Sequence, residues 1–195
     1  MAFGELIFNI QADEIQHLPV EQLPSLLDAV LAASKQISKV GTQQQTSPYD
    51  HDPVREHLKR VVYNAIEQCP TPEILNIVTD ILDSGALFYS NSGIIEYFFV
   101  AAVENGNGKE IADIFAATGR VTPFIWAIGI DRGWFTLDMI PNSLLVLTEA
   151  TFFAMVEAFS PSGRRLGLTP ETAWQLWNKC YAVNPRAAVN FLSLI

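Results

Sequence analysis

The chain reads as an all-α protein, an irregular multi-helical stack, solenoid-like or orthogonal, of about eight or nine short helices. Three observations predict this. A small polar or acidic residue followed by proline recurs at Asp52-Pro53, Thr71-Pro72, Thr122-Pro123, Thr169-Pro170 and Asn184-Pro185. The first residue of each pair can accept a hydrogen bond from the open amides of a helix start, and proline lacks an N–H where one would go unpaired. Between these starts apolar residues recur at three-and-four spacing, the period of a helix with one buried face. Hydrophobic residues make up 49% and charged residues 17% of the chain, which supplies a core and excludes disorder for most of the length.

Taken in order, residues 4–11 form a short apolar stretch. A lone strand would have no partner, so residues 1–18 are expected to be an N-terminal arm. The first convincing helix follows Pro24, with Leu23, Leu26, Leu27, Val30 and Leu31 on one face and Ile37 and Val40 continuing it. Gly41 to Tyr49 has no periodicity, and 41–52 is expected to be a mobile loop. After Pro53 the apolar face is Val54, Leu58, Val61, Val62, Ala65 and Ile66. After Pro72 it is Ile74, Ile77, Val78, Ile81 and Leu82, with Gly85 placed to end the helix.

Gly93 to Val103 and Pro123 to Ile130 are apolar on nearly all sides, which places them in the middle of the protein or under a partner. A modest helix from Lys109 to Ala117 lies between them. Pro141 to Phe159 reads as a further long apolar helix, broken at Ser160 to Leu168. The last pair starts at Pro170 and Pro185, the first of these carrying Trp174, Trp177 and Tyr181 on one face. The starts align but the faces between them do not, so no residue-level repeat is present. At 195 residues a single domain is the expectation.

Formal charge is -9, and residues 1–34 and 61–108 contain no Lys or Arg. Such a surface repels polyanions, which disfavours nucleic acid and anionic membranes as partners. The longest stretch without charge in the apolar middle, Ser84 to Ile95, falls short of the roughly 20 residues of a membrane-spanning helix. Met1 to Ile10 carries Glu5 and no basic residue, the wrong flank for a secretory signal. A cytoplasmic protein is expected, with Cys69 and Cys180 as reduced core thiols.

No motif carries catalysis. The Glu14/His17 pair has the Glu-x-x-His spacing of di-iron bundles, but only one copy exists. Asp50, His51, Asp52, Glu56 and His57 form the densest set of metal-ligating residue types, without a zinc-site spacing; helix capping and solvation account for them. Asn105-Gly106-Asn107-Gly108-Lys109 resembles a phosphate cradle only superficially, because no strand precedes it. No cofactor and no metal site are expected.

Two segments stand out as contact sites. In Asp131-Arg132-Gly133-Trp134-Phe135, the large aromatics Trp134 and Phe135 follow a charged turn after a buried helix, and the types of Trp134 and Arg132 are enriched where interfaces derive their affinity; closure of Trp134 over the core is the structural alternative. Arg164 and Arg165 form an adjacent basic pair that could receive a carboxylate or phosphate. The expected function is a protein–protein interaction or scaffold module without catalytic activity, working on another protein or by self-association. The apolar stripe running to Ile195 motivates an end that packs on another subunit or belongs to a longer protein. The alternative is an all-helical small-ligand binder or enzyme, with an apolar pocket around Tyr97, Trp126, Trp134 and Trp174.

Overall fold

A computed structural model of the chain describes residues 18–41, 52–88, 91–141 and 169–186. These contain helices and turns and no strand, so the all-α expectation holds. Seven α-helices and two short 3-10 turns are present among the described residues, slightly fewer helices than the eight or nine expected. Residues 142–159 of the helix expected over Pro141 to Phe159 and the body of the one opening at Pro185 lie outside the described residues. So do residues 1–17 of the arm and 42–51 of the loop.

The residues group into two compact units, Met1–Asn107 and Gly108–Ile195. In the first unit, a 3-10 turn at Val20–Gln22 leads into α1 (Leu23–Gly41), followed by α2 (Pro53–Gln68), α3 (Pro72–Asp83) and α4 (Asn91–Glu104). The proline-preceded starts fold as their chemistry dictates. Asp52 Oδ1 accepts the Val54 amide at 3.0 Å, and Thr71 Oγ1 accepts that of Ile74 at 3.5 Å. Each helix then buries its apolar stripe: Leu23, Leu26, Leu27 and Val30 from α1, and Leu58, Val61, Val62, Ala65 and Ile66 from α2.

Helix α3 differs in detail from the sequence reading, because Leu75 is buried and Ile77 is only half-buried. Packing against both α1 and α2 rolls its buried stripe to Ile74, Leu75, Val78, Ile81 and Leu82. Ser34 is buried in α1 and donates to the Val30 carbonyl at 2.6 Å, which removes the cost of an unpaired hydroxyl. Helix α4, apolar all round, buries Ile94, Ile95, Phe98, Phe99, Ala101 and Ala102, as its composition requires. Tyr97 of α4 meets Tyr63 of α2 edge to face at 5.0 Å, and its hydroxyl donates to the Glu67 carboxylate. Burial pushes the Tyr63 hydroxyl above its ordinary pKa, with Lys59 opposing and Glu56 adding to the shift. Cys69, expected in the core, is a half-buried free thiol at the end of α2.

The glycine-rich segment after α4 is a helix end. Gly106 has φ +83°, the Asn107 amide reaches back to the Ala102 carbonyl at 2.8 Å, and Lys109 pairs with Asp113 at 2.7 Å. The second unit holds α5 (Gly108–Thr118), α6 (Pro123–Asp131), a 3-10 turn at Leu137–Met139 and α7 (Pro170–Val183). Thr122 caps α6 by accepting the Ile125 amide at 3.4 Å. Every residue of α6 from Phe124 to Gly129 is buried, which makes it the centre of this unit, with α5 and α7 packed on it.

Candidate functional site

The features that set one surface apart begin at the end of α6. The chain reverses there through Gly133, whose φ of +71° is a left-handed conformation costly for any residue with a Cβ. The Gly133 amide bonds the Ile130 carbonyl at 3.0 Å, and the Trp134 amide bonds the Gly129 carbonyl at 2.7 Å, the paired bonds of a Schellman helix end. This reversal carries Phe135 back over Gly129. The Phe135 ring is buried, with its centroid 4.6 Å from that of Trp126.

The residues expected to contact a partner therefore separate. Arg132 is exposed, Trp134 is half-buried and Phe135 is a core residue with 4% exposure. Phe135 has no surface to offer, because the Schellman turn uses it to close the core. Arg164 and Arg165 lie outside the described residues. Of the aromatic set proposed to line a pocket, Tyr97 belongs to the first unit and pairs with Tyr63, Trp126 is buried, and Trp174 stands in solvent.

Helix α7 presents the surface that those two segments do not. Its N-terminus is fixed by Asp131, whose Oδ1 accepts from both the Thr169 amide and the Thr169 hydroxyl, each at 2.9 Å. Thr169 in turn accepts the Thr172 amide at 3.3 Å and so caps the helix. Burial alone would raise the Asp131 pKa, but the hydrogen bonds from Thr169 and Thr172 and the nearby Arg132 outweigh it and hold the carboxyl below its ordinary value. Further along, the Lys179 ammonium donates to the Leu137 carbonyl and reaches Asp138 Oδ1 at 3.2 Å. Between these two ties, Thr172 and Leu176 are buried.

Thr172, Leu176 and Lys179 lie within roughly 60° of one another around the helix axis, at 3.6 residues per turn. Trp174, Trp177 and Tyr181 occupy the opposite side of the same wheel. Tethering one face at two points sets the roll of the helix and turns the aromatics outward. Trp174 and Tyr181 are 57% and 43% exposed. Their rings form a ladder along the helix: Trp174 and Trp177 stack at 4.9 Å and 7°, Trp177 and Tyr181 at 5.0 Å and 23°.

Lys179, the one cation within α7, is tied to Asp138. Among the described residues no three His, Cys, Asp or Glu side chains converge as metal ligands. Of those the sequence singled out, Glu14, His17, Asp50 and His51 lie outside the described residues, and Asp52 is engaged as a cap. No helix among the described residues is long and apolar enough to cross a membrane. No family model matches this chain, and comparison with curated proteins and with solved structures returns no match.

The sequence places Trp174, Trp177 and Tyr181 on one face, but periodicity does not say which face of α7 is buried. The missed signal was Asp131 with Thr169. A carboxylate at the last residue of α6 and a capping hydroxyl at the start of α7 are a natural pair, separated by 38 positions.

Proposed function

We propose that this chain is a protein-interaction module that operates in the cytoplasm and docks through the Trp174–Trp177–Tyr181 stripe of α7. The observation that carries this reading is the solvent exposure of Trp174 and Tyr181, stacked on the half-buried Trp177, on a helix whose opposite face is tethered to its own unit. Burying an exposed aromatic side chain contributes about 1.5–3 kcal/mol, and tryptophan and tyrosine are the residues on which interface affinity most often rests. The fold leaves that gain unused. Arg132 and the half-buried Trp134 stand on the turn that leads out of α6 and form a secondary contact in this proposal.

The test is affinity capture from the native source with the wild-type chain and the W174A/Y181A double variant, read by mass spectrometry. Proteins retained by the wild type and lost by the variant are expected. An identical set on both would overturn the docking role of α7.

One observation favours a second reading, a small-ligand binder. The Trp126 Nε1 is buried with no hydrogen-bond partner, a donor whose desolvation an acceptor on a bound molecule would offset. A thermal-shift screen of carbonyl-bearing apolar compounds tests it. Stabilisation that survives W126F would remove the indole from the argument.

A further inference from the structure

We infer that the occupant of the α7 stripe is a second copy of this chain, bound antiparallel across a two-fold axis near Trp177. The inference rests on the docking role proposed for the stripe and names its partner. The stripe is close to a palindrome along the helix. Trp174 and Tyr181 stand three and four residues on either side of Trp177, about 10 Å apart at the helical rise of 1.5 Å per residue. A two-fold axis midway between them sets Trp174 of each copy against Tyr181 of the other and brings the two Trp177 rings together. This satisfies the requirement of an isologous contact, in which residue i meets j and j meets i.

Charge agrees with this pairing. The chain carries -9, so a contact between two copies needs a face without uncompensated acid. Helix α7 contains only Glu171 and Lys179 as charged residues, and Lys179 is neutralised by Asp138 within its own copy. The antiparallel arrangement brings Glu171, at the helix start, to the other copy's exposed Arg186 just past the helix end. A parallel arrangement would oppose Glu171 to itself. The two helix dipoles also run head to tail.

Area sets the strength. An aromatic side chain buries about 150–250 Å² in all, and Trp174 and Tyr181 still expose about half of theirs. A single helix pair therefore falls below the roughly 1,600 Å² of a standard stable interface, and the dimer is a weak one that forms at micromolar to near-millimolar concentration.

Sedimentation equilibrium across that range tests the inference on the full chain. The wild type is expected to rise from 21.6 kDa toward twice that mass, and the W174E and Y181K variants to stay at the monomer mass with unchanged circular dichroism. Mixing W174E with Y181K is expected to restore a heterodimer, because the antiparallel register opposes those two positions. A wild-type chain that remains monomeric throughout, or a mixture that fails to pair while the wild type dimerises, overturns the antiparallel second copy. The docking role is judged separately. If the wild type stays monomeric but W174A/Y181A still loses captured proteins, only the identity of the occupant fails; if the capture is also unchanged, both fail.

Discussion

Gly129 is the position where the second unit is most sensitive to a single atom. A Cβ built there would stand 2.5 Å from Phe135 Cε2, closer still to Cδ2, and 3.1 Å from Cγ, against the roughly 3.5–4.0 Å of a relaxed carbon contact. The ring has no easy retreat. Phe135 is buried on Trp126, and its own amide and that of Trp134 both bond the Gly129 carbonyl, at 3.1 and 2.7 Å. Two effects of G129A oppose each other. Alanine gains about 1 kcal/mol over glycine in a helix, and overpacking a closed site costs about 1–3 kcal/mol.

With most of the ring edge inside contact distance the upper part of that range applies, so a net loss of about 1–2 kcal/mol is expected. For a unit the size of Gly108–Ile195 this lowers Tm by roughly 4–8 °C per kcal/mol. Thermal and urea unfolding followed by far-UV circular dichroism and tryptophan fluorescence measure it. F135A alone removes a buried aromatic and costs about 3–5 kcal/mol. In that background G129A has space, and is expected to become neutral or stabilising. A G129A that raises Tm in the wild-type background, or that has the same effect in both, would refute the steric account.

Two further outcomes follow from the same geometry. Because the Asp131 pKa is lower folded than unfolded, its contribution is present above the ordinary carboxylate range and is lost as pH falls through the folded value; D131N should flatten the acid limb of the stability profile and cost about 1 kcal/mol at neutral pH, and an unchanged acid limb would count against the Thr169 clamp. T122A should cost about 1 kcal/mol while T122S and T122D retain most of it, since the Thr122 hydroxyl caps the buried helix α6; equal losses in all three variants would show that the cap hydrogen bond is not what matters.

The self-association and capture experiments complete the set, and they bear on the part of the molecule least legible in the sequence. Residue spacing alone placed Trp174, Trp177 and Tyr181 on one side of α7, and composition alone made α4 and α6 central. Neither could say that Phe135 is core while Trp174 is surface, for both are large aromatics followed by a polar residue. Phe135 is drawn inward because Gly133 permits the reversal and Gly129 leaves room for a ring. Trp174 is turned outward because Thr169 and Lys179 hold the opposite side of its helix.

By itself, the sequence determined the helical class, the caps at Asp52, Thr71, Thr122 and Thr169, and the stripes of α1 and α2. These are local consequences of backbone hydrogen-bonding needs and of a 3.6-residue period, and the chain carries them wherever it folds. Only the tertiary structure decided the roll of each helix. It shifted α3 from Ile77 to Leu75, and it left Trp174 and Tyr181 of α7 in solvent. Roll depends on what a helix packs against and where it is tied, and those partners are set by contacts between residues far apart in the chain.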